Sequence, residues 1–237
     1  MALELVALCI DAHDPEGQAR FWAGLLDGEV VDDPVDGPAV LLDTAVGFRL
    51  RFPRTDVPKS GQNPRHFDLT SESIQDQRAR VARAVALGAT HLDIGQGADA
   101  VHVVLRDPEG NELCVIEPGN RFLEGCGLVG AVSCDGSRAV GLFWRHALAW
   151  PLVWDEGEET AIQSPRGGPK ISWGGPPLLT KHGTTRWRFD LAPAAGSDVE
   201  SEVDRLVALG AAGLGTDEHG VLIADSDGHE HRVLLTR

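Results

Sequence analysis

The chain states one pattern twice, at a displacement of about 122 residues, and few folds accommodate that. Ala19-Arg20-Phe21-Trp22-Ala23-Gly24-Leu25-Leu26 is echoed by Gly141-Leu142-Phe143-Trp144-Arg145-His146-Ala147-Leu148. His66-Phe67-Asp68-Leu69 returns as Arg188-Phe189-Asp190-Leu191, and Leu87-Gly88-Ala89 as Leu209-Gly210-Ala211. The turn Asp107-Pro108-Glu109-Gly110 returns as Asp225-Ser226-Asp227-Gly228. The period is too long for a solenoid repeat and has the size of a small domain. The sequence therefore predicts two similar domains, 1–118 and 128–237, joined by a linker at 119–127.

Composition narrows the partners. A net charge of -15 argues against nucleic acid, because phosphate binding needs Lys and Arg to release counterions. The opening Met1-Ala2-Leu3-Glu4 is acidic where a signal peptide is basic, and no apolar run reaches the ~20 residues of a membrane span. Cys9, Cys114, Cys126 and Cys134 lack CxxC spacing and disulfide-scaffold density. The expectation is a cytoplasmic protein with neither nucleic-acid nor membrane partner.

Within each half, strand-period and helix-period segments alternate, which excludes a pure sandwich or bundle. Val6, Leu8 and Ile10 alternate with polar or small residues as a strand. Asp14-Pro15 starts a helix with the stripe Phe21, Trp22, Leu25 and Leu26, closed by Gly28. Strands at 39–42 and 48–52 follow, and the order βαβββ then begins again. A strand at 66–70 leads to a helix capped by Ser73, with Ile74, Val81 and Val85 on one face. Strands at 91–94, 101–105 and 112–116 complete that half. In the second half, Ser197-Asp198-Val199-Glu200 reads as a capping box. Val199, Val203, Leu206 and Val207 then form the helix's buried face.

Paired βαβββ units, a helix-borne Phe-Trp, a mid-domain His-Phe-Asp-Leu and a closing Asp-Pro-Glu-Gly-Asn-Glu resemble the vicinal oxygen chelate superfamily, in its glyoxalase-like and bleomycin-resistance-like branch. The resemblance implies an α+β fold of bacterial type. In it, each domain joins two units edge to edge into a curved, cup-shaped sheet with helices on the outer face. It also implies metal ligands on the first, fourth, fifth and last strands of a domain. Carried over residue by residue, those positions hold Ala7, no acid on the fourth strand, His66 and Cys114. The second half offers Val129, Lys170 or Ser172, Arg188 and Arg232. Guanidinium groups repel a cation, so the family's metal centre, and any cofactor, is expected to be absent.

The inward residues expected in the first domain are Cys9, Asp11, Arg49, Arg51, His66, Asp68, Glu112 and Cys114. If the implied strand order holds, Cys9, His66 and Cys114 meet, and a soft metal is the alternative to inert thiols. His66 with Asp68 suits proton transfer, the competing reading being ion pairs between Asp68 and Arg49 or Arg51. Arg49 and Arg51 are expected to grip a ligand's carboxylate or phenolate opposite His66. The second-choice cup sets Arg188, Asp190 and Arg232 beside an aromatic wall, Trp173. His229 and His231 are expected to face away from the cup, and Asp225 to Gly228 to form a plain turn.

The leading expectation is a metal-free protein that binds a small organic molecule, with sequestration or resistance as its use. The alternative is a metal-independent lyase, isomerase or cyclase working through His66 and Asp68. A metal-dependent glyoxalase, lyase or dioxygenase comes third. The expected state is a monomer whose halves replace the two chains of a homodimer, with a further homodimer as the alternative.

Overall fold

The computed structural model describes residues 3–42, 48–97, 99–180 and 186–235. Its chain runs through four βαβββ units. The first holds β1 (Leu3–Ile10), α1 (Pro15–Leu26), β2 (Glu29–Asp33), β3 (Gly37–Leu41) and β4 (Arg49–Arg51). The second holds β5 (Arg65–Leu69), α2 (Ile74–Ala86), β6 (Thr90–His91), β7 (Val103–Arg106) and β8 (Glu112–Val115). A single helical turn, Arg121–Leu123, crosses the linker. The third unit holds β9 (Val129–Cys134), α3 (Arg138–Leu148), β10 (Leu152–Glu156), β11 (Glu159–Gln163) and β12 (Lys170–Trp173). The fourth holds β13 (Trp187–Pro193), α4 (Val199–Ala208), β14 (Ala212–Thr216), β15 (Gly220–Ala224) and β16 (Glu230–Leu234).

The α+β class and the paired units are as expected, and the described residues form two eight-stranded curved sheets. Their pairing is different from the expectation. One sheet runs β14-β15-β16-β13-β1-β4-β3-β2 and the other β10-β11-β12-β9-β5-β8-β7-β6. Each therefore takes one unit from each half, sewn by the antiparallel seams β1–β13 and β9–β5. The halves are joined by backbone hydrogen bonds as well as by apolar packing, for Phe67 meets Trp187 across them at 5.4 Å between ring centres.

Helices and core fill the space on the sheet face opposite the cups. Asp14 caps α1 by accepting from Gly17 N, with Pro15 in the first turn, and Phe21, Trp22, Leu25 and Leu26 are buried. The helix ends on Asp27, at φ 54°, rather than on Gly28. Gly28 serves close approach instead, since a Cβ there would lie 2.5 Å from Val40. Trp22 packs edge-on to Phe67 and Trp144 edge-on to Phe189, so each helix stripe bridges two units of its own half. Trp22 Nε1 donates to Asp107 and Trp144 Nε1 to Asp225. That shared bond explains why the indole and the turn aspartate recur together.

Two helix faces are corrected. In α2 the buried residues are Gln77 and Ala84, with Val81 against the core, while Ile74 and Val85 are exposed. Gln77 was unreadable as core because its amide is satisfied there, donating to Val101 O and Val115 O. In α4 the cap is Asp198, accepting from Ser201 N, one residue later than the capping box predicts. Glu202 and Leu206 are its buried residues, and Val207 is exposed. The acidic edge strand β2 escaped the hydrophobic pattern altogether.

Candidate functional site

The register makes the two cups superimposable position by position. In one, Arg51, Cys9 and Arg188 lie side by side across β4, β1 and β13. Arg49, Ala7, Asp190 and Arg232 form the next row. In the other, Ser172, Ser133 and His66 align across β12, β9 and β5. Lys170, Ala131, Asp68 and Cys114 follow. Strand alternation turns all of these away from the helices, because their neighbours Leu8, Leu50, Phe189, Val132, Ile171 and Phe67 are core.

The first, the arginine cup, is closed by its own charges. Asp190, fully buried, takes Arg51 Nη1 at 2.8 Å and Arg232 Nη2 at 2.5 Å, with Arg188 Nε at 3.5 Å. Arg49 and Arg51 share Asp33 at 2.7 and 3.1 Å. Arg188 reaches Asp11 at 2.9 Å and Asp36 at 3.3 Å, and Arg232 also binds Asp36 and Asp217. Cys9 lies beneath this lattice; burial, then the negative Asp190, pushes its thiol well up. Burial likewise raises Asp11. A hollow of about 550 Å³ at the mouth is lined by Asp36, Arg188, Asp217 and Arg232, whose charges are already matched.

The second, the histidine cup, is open. His66, Ser133, Ser172, Phe122, Trp154 and Leu179 line a cavity of about 420 Å³. Ser133 Oγ donates to Asp68 Oδ2 at 2.5 Å and lies 3.3 Å from Ser172 Oγ. With its proton on Asp68, Ser133 accepts from the Ser172 hydroxyl. His66 Nε2 sits 3.4 Å from Asp68 Oδ1, with 29% of its side chain exposed. Burial opposes the imidazolium, but the hydrogen bonds it donates to Asp68 and Cys114, with their charge, outweigh it and raise the pKa to about 10. At neutral pH the imidazole is thereby held protonated, so in any proton transfer it is poised to donate. Phe122, from the linker, stands edge-on to Trp154 at 5.4 Å and forms an aromatic wall.

Several expected neighbours are thus separated. Cys9, Arg49 and Arg51 lie in the arginine cup and cannot face His66, so neither the Cys9-His66-Cys114 cluster nor the Arg-His clamp exists. Asp68 pairs with His66 and Ser133 rather than with Arg49 or Arg51. Arg188, Asp190 and Arg232 share the arginine cup, while Trp173 is in the other sheet. Trp173 packs its ring on the helix side, close under Gly136 and Gly141, and is among the residues that line the histidine cavity. Glu112 holds Lys59 Nζ at 2.8 Å and Asn63 N at 3.2 Å, tying down the loop before β5. His231 does face away from the cup, packed on Trp144 and Phe189. The 225–228 segment is a turn closed by Gly228 N to Asp225 O. Phe122 was missed because it lies in the linker, whereas Trp154 is one of the four tryptophans confined to the second half that the sequence offers as aromatic walls.

The family's four-ligand metal centre is not matched in either cup. At the implied positions the histidine cup sets Val129, Lys170 or Ser172, His66 and Cys114, and the arginine cup sets Ala7 and guanidinium groups. His66, Asp68 and Cys114 do bring three donor atoms within 4.8 Å of one another, as do Cys9, Asp36 and Asp190. In the latter set both carboxylates are bound to arginines. In the former, Asp68 is bound to His66 and Ser133, and the three come from one unit without a carboxylate from across the seam.

A glyoxalase-like domain profile matches residues 7–116 and again 130–234. Glyoxalase I from Zea mays aligns over 98% of this chain and 92% of its own, with a TM-score of 0.65 at 12% identity. A putative dioxygenase from Bacillus subtilis aligns over 98% and 84%, with a TM-score of 0.61 at 13% identity. At such identity the likeness is one of fold alone. No curated protein matches the sequence.

Proposed function

We propose a function on the premise that this chain belongs to the glyoxalase-like family, of which it holds two domains in one polypeptide: it binds a small, largely planar organic molecule in the histidine cup, without a metal. The observation that carries this is the exchange of Arg51 and Cys9 for Ser172 and Ser133 at matched positions. Ser172 leaves open the room that the long Arg51 side chain takes in the other cup. A concave site with aromatic walls and a few convergent polar groups suits a small ligand. His66 and Ser172 would meet the ligand's oxygens, and Phe122 and Trp154 its flat faces. Sequestration of such a compound in a reducing cytoplasm is consistent with four free cysteines.

A second reading, metal-independent proton transfer, is favoured by the hydrogen-bonded line Ser172–Ser133–Asp68–His66. In it His66 is the proton donor.

The test is a thermal-shift screen of planar compounds, followed by titration of intrinsic tryptophan fluorescence. Ser172→Phe, which fills the cup, is expected to abolish binding, while Asp217→Asn at the other mouth leaves it unchanged. The opposite pattern would move the site to the arginine cup. If a bound compound is also converted, His66→Gln is expected to lose turnover by about 100-fold or more. Sequestration is the reading left standing if compounds bind and emerge unchanged.

A further inference from the structure

At the end of the histidine cup lies a buried cation with no counter-charge among the described residues. Lys170 is 8% exposed, yet its only polar partner for Nζ among the described residues is the carbonyl of Phe122. The Phe122 ring lies 5.0 Å from Nζ, between the ammonium and the cavity wall it forms with Trp154. The duplication supplies a control. Arg49 occupies the matching place in the arginine cup and has Asp33 at 2.7 Å. In the hairpin β10–β11, Asp155 has instead turned outward to Arg138, at 2.9 Å. The Cys126 thiol feels the charge of Lys170, but burial raises its pKa and leaves it neutral.

A second buried donor packs against the same Phe122 ring. Trp154 Nε1 is buried with no acceptor among the described residues. Trp154 pairs with Ala161, which pairs with Ser172, so its ring belongs to the row that ends at His66. Buried donors left unmatched are expensive, and a buried ammonium more so. Both point to an acceptor that carries negative charge.

Building on the cup assignment above, we infer that this end of the cup is an anion site and that the ligand is a planar aromatic carboxylate. Its carboxylate takes the place of the Phe122 carbonyl on Lys170 and accepts from Trp154 Nε1. Its ring lies along the serine row toward His66. Phe122, on a single helical turn in the linker, is the residue that must yield for the carboxylate to reach Nζ.

The test compares 2-naphthoate with the neutral 2-naphthamide by tryptophan fluorescence, using the full-length protein and its Lys170→Met, Lys170→Arg and Ser172→Phe variants. The wild type should bind naphthoate tighter by roughly tenfold or more, as expected of a charged hydrogen bond. Lys170→Met should erase that preference, Lys170→Arg should keep it, and Ser172→Phe should remove binding of both. Equal affinity for the two probes in the wild type, with both lost in Ser172→Phe, overturns the anion site and leaves the cup standing. No binding of either, or binding indifferent to Ser172→Phe, overturns the cup assignment and this inference with it. Should Lys170→Met fail to fold, Phe122→Ala decides, since uncovering Nζ must strengthen naphthoate more than naphthamide.

Discussion

The two cups are built on the same strands in the same register, and they differ in what one chemical exchange does to a concave sheet. In the arginine cup Arg51, Arg188 and Arg232 surround a neutral, buried Cys9, and each arginine finds a carboxylate within the cup. In the histidine cup the same positions hold Ser133, Ser172, His66 and Cys114, and a cavity remains. A buried ion-pair lattice is a poor receptor, because a ligand must displace partners already desolvated together. On the function proposed above, the duplication leaves one cup as a brace across the seam and the other as the binding site. The helix-side residues have diverged similarly: Leu113 and His231 occupy matched places beside Trp22 and Trp144, since Asp68–Cys114 corresponds to Asp190–Arg232.

The sharpest way to break the comparison is to remove the matched aspartates. Asp190→Ala strands Arg51, Arg188 and Arg232 in the interior and should destabilise by about 3–5 kcal/mol in urea unfolding. Asp68→Ala leaves a half-exposed imidazole that can lose its proton, and should cost about 1 kcal/mol. Equal losses would mean that the two cups are braced alike.

Acid and alkali should act on different halves. His231 accepts from Phe189 N at Nδ1, which places its proton on Nε2 toward Asp225. Burial and the Arg65 guanidinium hold it neutral, with a pKa lowered to about 4 despite Asp225. The unfolded chain takes up that proton near pH 6.5, so stability should fall from pH 6.5 toward 4. His231→Leu, the residue used by the first half, should flatten that limb. His66 has the opposite sign: its pKa is raised from 6.5 to about 10. Its contribution is complete below pH 6.5 and should be lost as pH rises through 10, an alkaline limb that His66→Gln should remove. Urea midpoints at pH 4.5, 6.5, 8 and 10 separate the two.

A milder difference lies in the helices. Ala19 in α1 corresponds to Gly141 in α3, and a Cβ at Gly141 would lie 2.0 Å from Thr160 Oγ1 and 3.2 Å from the Trp173 ring. Gly141→Ala should therefore lower stability by about 1–3 kcal/mol despite its better helix propensity. Ala19→Gly should cost only about 1 kcal/mol. A stabilised Gly141→Ala variant would show that the second half is packed no tighter than the first.

The smallest expected effect is none. Elemental analysis after dialysis should find no stoichiometric transition metal, and Cys114→Ala should leave the metal content unchanged. About one zinc per chain, lost on that substitution, would make the histidine cup a metal site built on His66, Asp68 and Cys114.

Much of this architecture was written in the chain. The repeat, the alternation around Leu8 and Leu50, the Asp14 and Ser73 caps and the turn at Asp107 define each βαβββ unit locally. They do so through backbone preferences and apolar spacing that need no partner. The outward turn of His231 followed from strand parity alone. Polar core residues such as Gln77 and Glu202 were not legible, because a side chain's hydrogen-bond partners lie on other elements.

Which units share a sheet was decided only in three dimensions. β5 and β13 carry nearly the same edge, His66-Phe67-Asp68-Leu69 and Arg188-Phe189-Asp190-Leu191, and a backbone ladder does not distinguish them. Either could have paired with β1. The tertiary structure joined β1 to β13 and β9 to β5, and that choice set Arg51 against Asp190 and kept both Arg49 and Arg51 away from His66. Local sequence determines what each strand presents on its two faces. The composition of a cup belongs to the seam, because its residues become neighbours only after strands from different halves have paired.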